Sequence, residues 1–142
     1  MGSGNSGNWR VDESRAISGE EITAVLEGQG NRLLFIDACQ SGGVDNNRMI
    51  RAMMESNAFV FAASQGNELS YEDTRWGGGH GVFTYNVLNA LRCAPAALAE
   101  GNVSVRSMSG FVSLEVPKMT DNRQNPRVHS LLFADFPLAV IK

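Results

Sequence analysis

Asp37 and Cys39 stand two residues apart in LLFIDACQSGG, residues 33–43, where four apolar residues run into an acid, a thiol and a polar stretch closing on two glycines. The thiolate is the nucleophilic form of cysteine, and its pKa follows local charge and dipoles. A thiol set where a buried strand gives way to a loop is partly exposed and rigidly aimed. Backbone N–H groups of a turn through Gln40, Ser41 and Gly42 could stabilise an oxyanion formed by attack on a carbonyl. Gly42 and Gly43 permit the backbone angles such a turn needs. Alternate residues of an extended strand share a face, so the Asp37 carboxylate belongs beside the sulfur. Spacing alone leaves a second reading open, in which Cys39 is a buried thiol ending a core strand.

Either reading needs a sheet to hold these residues. Ser18-Gly19-Glu20-Glu21 matches a capping box, with Ser at the N-cap and Glu three residues later. Ile22, Val25 and Leu26 follow at helical spacing, and Gly28 and Gly30 end that helix. Leu33–Ile36 is a short continuous apolar run, the pattern of a strand covered on both faces. A short helix is expected over 47–54 and a second buried strand over 58–63. A polar, Gly-rich loop then runs over 64–79. Phe83, Val87, Leu88 and Leu91 share one stripe of a helix over 82–91. A further helix around 108–115 is expected to end at Pro117. Residues 118–130 are polar, and 131–140 reads as a closing strand interrupted by Pro137. Strands alternating with helices indicate an α/β fold with a mostly parallel sheet, though three strands is thin for one. In open parallel sheets the ligand site lies outside the carboxyl ends of the strands, which is where Cys39 falls.

The 142 residues suffice for one domain, with residues 1–15, rich in Gly, Ser and Asn, read as a flexible segment before a body over 16–142. A net charge of -3 with dispersed Lys and Arg offers no basic patch for nucleic acid or a membrane surface. No apolar run approaches the roughly 18 residues that span a bilayer. Two cysteines, Cys39 and Cys93, make no disulfide framework. Cys93 reads as a structural thiol at the apolar end of a helix. No Cys/His cluster has zinc spacing, no calcium-loop pattern is evident, and a reducing cytoplasm is the expected compartment.

FIDACQSGG resembles the nucleophile motif of caspase-like cysteine peptidases, the superfamily of caspases, metacaspases and their bacterial relatives. AFVFAASQGNELSYED is similar to the next strand and its loop in bacterial members, GGGHGVFTYNVLNAL to the helix start that follows, and QNPRVHSLLFADFPLA to the closing segment with its Gln-x-Pro. The resemblance runs from about Ala16 to Ala139. It implies a caspase-like three-layer sandwich, present here as its C-terminal portion without the first strands. It implies a cysteine-type endopeptidase that acts through a thioester at Cys39 on protein or peptide substrates, with no cofactor indicated beyond the calcium that some metacaspases need. Caspases have Gln at the place of Asp37 and take acidic P1 residues; metacaspases have Asp and take Arg or Lys. A basic P1 residue is thus implied, with Asp37 on the pocket wall, although Asp37 could instead cap backbone N–H groups of the adjacent turn. Ser70 and Glu72 are the nearest matches to residues bordering that pocket. Trp76 is either a substrate-facing aromatic or a loop anchor.

A cysteine peptidase also needs a base. In caspases the His lies about 50 residues before the Cys, whereas none of the 38 residues before Cys39 is His. His80, in Gly79-His80-Gly81, reads as a helix-entry residue, and His129 as a solvated or structural one. Three accounts follow: the sequence is part of a longer peptidase, the histidine resides on a separate chain, or the domain is a non-catalytic interaction module. The first two are favoured by the intact motif around Cys39, and the isolated chain is expected to show little activity.

Overall fold

The computed structural model describes residues 4–5, 8–10, 16–28, 30–37, 44–130 and 135–141. Towards the N-terminus, β1 (Gly4–Asn5), β2 (Asn8–Arg10) and β3 (Ala16–Ser18) form an antiparallel sheet. Strands this short carry no readable alternation. Ser18 then caps α1 (Gly19–Leu26). Its hydroxyl accepts the Glu21 N–H, and its own N–H donates to the Glu21 carboxylate at 2.8 Å.

The central sheet begins with β4 (Arg32–Ile36). After α2 (Val44–Glu55) the chain returns as β5 (Ala58–Ala62), parallel to β4, with Arg32 opposite Ala58 and Ile36 opposite Ala62. Every residue of β5 is buried, as expected of a strand with helices on both faces. Ile36, Ala58 and Val60 pack on one face with Ile50 and Met53 of α2 and with Ile22 and Leu26 of α1. Phe59 and Phe61 pack on the other with α3 (Val82–Leu91) and with α4 (Val105–Met119). The result is helices, sheet, helices.

Around this frame the sheet is mixed. β7 (Arg127–His129) pairs antiparallel with β5, giving the order β4-β5-β7. A separate antiparallel pair joins β6 (Asn102–Ser104), which precedes α4, to β8 (Pro137–Val140). Pro137 therefore opens a strand, a place where its missing N–H costs little. Pro117 does not end α4 but lies inside its last turn. Its ring deprives the Ser113 carbonyl of a partner, yet only two more helical residues follow. The Pro117 carbonyl then accepts the N–H groups of Thr120 and Asn122, closing the helix. Among the described residues no helix is long and apolar enough to cross a membrane.

Candidate active site

Asp37 follows β4 directly, and Cys39, Gln40 and Gly42 lie outside the described residues. Asp37 is half-buried. Its Oδ2 accepts a 2.6 Å hydrogen bond from the Thr84 hydroxyl, in the first turn of α3. The N-cap of α3 is Gly81, and a Cβ there would lie 2.9 Å from Asp37 Oδ2. The carboxylate thus rests at the amino end of a helix, where unpaired N–H groups favour negative charge. Thr84 carries no signature that sequence reading could use, since nothing links it to a residue 47 positions earlier.

The segment expected to border the pocket comes to the same place. The Tyr71 carbonyl accepts the Val82 N–H at 2.9 Å, and Glu72 bridges Gly81. The point where a Gly81 Cβ would sit is 3.6 Å from the Tyr71 carbonyl oxygen. Asp37 and the stretch Ser70–Glu72 therefore flank one helix start. Glu72 is exposed, while the Ser70 Oγ is buried without a hydrogen-bond partner.

Between Glu72 and Gly81 the loop is anchored by Trp76, which is 8% exposed and packs into the core on the α3–α4 side. Of the two roles open to Trp76, the structure selects the anchor. Gly77 has φ +63°, and a Cβ there would lie 2.7 Å from His80 Cδ2. His80 itself is exposed at the loop's end, one residue before the N-cap of α3. Arg75 pairs with Asp73 at 2.7 Å, and its side-chain hydrogen bond holds the Asp73 carboxyl below its ordinary pKa.

Gln124 fixes the other side of this segment. Wholly buried, it donates to the Ala63 carbonyl just past β5 and accepts the Tyr71 N–H at 2.8 Å. Glu68 accepts both the backbone and side-chain N–H of Asn125 at 2.7 Å. The Gln-x-Pro segment is thus a clamp on the strand end and its loop, a role the motif's residue types alone do not disclose. Arg123 adds its guanidinium over the Tyr71 ring at 4.9 Å.

His129 lies elsewhere. It faces Val60 across the β5–β7 pair, on the far side of β5 from β4. Its Nε2 is buried without a partner, and burial, aided by the Arg127 charge, pushes the imidazole pKa down. Cys93 follows α3 as a half-buried free thiol at φ +60°. Among the described residues no cluster of three or more His, Cys, Asp or Glu could hold a metal ion.

An α/β domain with helices on both sheet faces, and with an acid placed at a parallel strand's carboxyl end beside a helix start, defines a strand-end site of the kind open α/β sheets use for ligands. The family model of the caspase domain, peptidase family C14, matches residues 4–137, nearly the whole chain. The chain belongs to that family. A search of the curated proteins finds no match.

Proposed function

We propose that this protein is a cysteine-type endopeptidase of the metacaspase-like kind, cleaving after Arg or Lys. Family membership supports cysteine peptidase chemistry. The finer reading is carried by Asp37, which sits at the carboxyl end of β4 two residues before Cys39, with its carboxylate held at the start of α3.

The Cys39 sulfur attacks the scissile carbonyl, forming the C–S bond of a tetrahedral intermediate. The carbonyl π electrons move onto oxygen, where the backbone N–H groups of Gln40 and Gly42 are assigned the role of stabilising the charge. Collapse breaks the C–N bond, expels the amine and leaves a thioester that water hydrolyses. A histidine takes the thiol proton and returns it to the amine. Neither His80 nor His129 precedes Cys39, and His129 lies across β5 from β4. The base in this reading comes from a segment or partner chain beyond these 142 residues. Substrate Arg or Lys pairs with Asp37, with Ser70 and Glu72 along the same wall, a carboxylate being the natural bidentate partner of guanidinium.

The test is hydrolysis of fluorogenic peptides bearing Arg, Lys or Asp at P1 by the protein together with its histidine-bearing part. The expected pattern is cleavage after Arg and Lys, none after Asp, and loss of all turnover in Cys39→Ala. Undiminished turnover by Cys39→Ala would remove the thioester mechanism. Loss of turnover in His80→Gln would move the base to His80.

A further inference from the structure

We infer that Thr84, with Gly81 beside it, is a positioning residue for basic-side-chain recognition, acting through Asp37; the inference rests on Asp37 being the P1 determinant. Asp37 stands at the end of a strand, where the backbone leaves its side chain several rotamers. A carboxylate that must meet a guanidinium or ammonium benefits from having one oxygen already fixed, because a fixed group loses no freedom on binding. The Thr84 hydroxyl has one proton, and it is spent on Asp37 Oδ2 at 2.6 Å. In a helix, Thr more often turns that proton back to the carbonyl four residues earlier. Here that carbonyl, on His80, faces the Asp73 N–H instead.

Gly81 supplies the room. Its hypothetical Cβ would come within 2.9 Å of the same carboxylate oxygen, a distance side chains do not tolerate. Any larger residue must push the carboxylate away. Gly81 carries no left-handed backbone demand, its φ being -63°, so space and not conformation calls for glycine. Gly81 and Thr84, the N-cap and third position of α3, thus form a cradle for one carboxylate oxygen. Among the described residues the second oxygen, Oδ1, takes no hydrogen bond, and in this proposal it meets the basic ligand.

The experiment compares, in the chain together with its histidine-bearing part, labelling rates of Cys39 by peptidyl acyloxymethyl ketones with Arg or norleucine at P1, read by intact mass. Variants are Thr84→Val, Thr84→Ser, Gly81→Ala and Asp37→Asn, with iodoacetamide alkylation and thermal unfolding followed in parallel. Thr84→Val and Gly81→Ala are each expected to cut the Arg-over-norleucine preference about tenfold, the scale of one hydrogen bond to a charged group. Thr84→Ser restores it to within about twofold, because the donor returns. Undiminished preference in folded Thr84→Val and Gly81→Ala, with preference lost in Asp37→Asn, overturns the positioning role and spares the reading of Asp37. Preference unchanged in Asp37→Asn, or no labelling by either ketone of the parent chain together with its histidine-bearing part, overturns both. Loss in Thr84→Val that Thr84→Ser fails to restore marks Thr84 as merely structural.

Discussion

Asp37 and Thr84 meet across 47 residues of chain, and the meeting places an acid in space where the sequence places it only in order. The account expects Asp37→Ala to lower kcat/KM for Arg-P1 peptides roughly 10- to 100-fold, the worth of hydrogen bonds to a charged partner. Alkylation of Cys39 by iodoacetamide should stay near its parent rate; a parallel fall in both would mean that Asp37 tunes the thiol and not the pocket. His129 gives a second residue-scale expectation. Burial lowers its folded pKa below the ordinary 6.5, so the unfolded chain binds the proton more readily. Its neutral form stabilises the fold fully above about pH 6.5, and that contribution is lost as the pH falls through the depressed folded value. Thermal melts from about pH 7 to about pH 5 should therefore fall less steeply for His129→Gln than for the parent. An identical slope would mean His129 does not titrate differently on folding. Asp37 was singled out in the sequence by its place at a strand end, and the structure sets its carboxylate at a helix start. Thr84 was not, since a hydroxyl inside a helix is commonplace until its partner is seen.

Elements were legible where their signals are local. Ser18 and Glu21 form the reciprocal bonds that their spacing implies. The apolar runs at Leu33 and Ala58 became the parallel pair β4 and β5. The second capping box escaped notice because Ser107, not an acid, answers Ser104. β7 escaped because Arg127-Val128-His129 has no apolar face of its own and is a strand only through Val60, Phe61 and Ala62. Gln124 shows the same dependence on tertiary context. Removing its side chain in Gln124→Ala leaves the Ala63 carbonyl and Tyr71 N–H without that partner. At about 1–3 kcal/mol for each buried group left unpaired, urea unfolding should show a loss of about 2–6 kcal/mol. A loss below about 0.5 kcal/mol, the range of ordinary surface changes, would contradict the clamp.

At the scale of the molecule, a caspase-family α/β domain presents a sheet in which β4 pairs on one side, with β5, among the described strands. Phe35 on β4 is 37% exposed and leans on Phe61 at 5.4 Å. A parallel strand with an open edge and an exposed aromatic invites another strand. The isolated chain is accordingly expected to self-associate at micromolar concentrations in sedimentation velocity, and Phe35→Lys to shift it toward monomer. A monodisperse monomer at every concentration would show the edge to be covered. The most direct measurement concerns the sulfur itself: the chain together with its histidine-bearing part is treated with a peptidyl-Arg acyloxymethyl ketone, then digested and mapped by mass spectrometry. The account predicts one adduct, on Cys39, with Cys93 spared and no adduct in Cys39→Ala. Modification of Cys93 in preference, or of Cys39 only after unfolding, would contradict it.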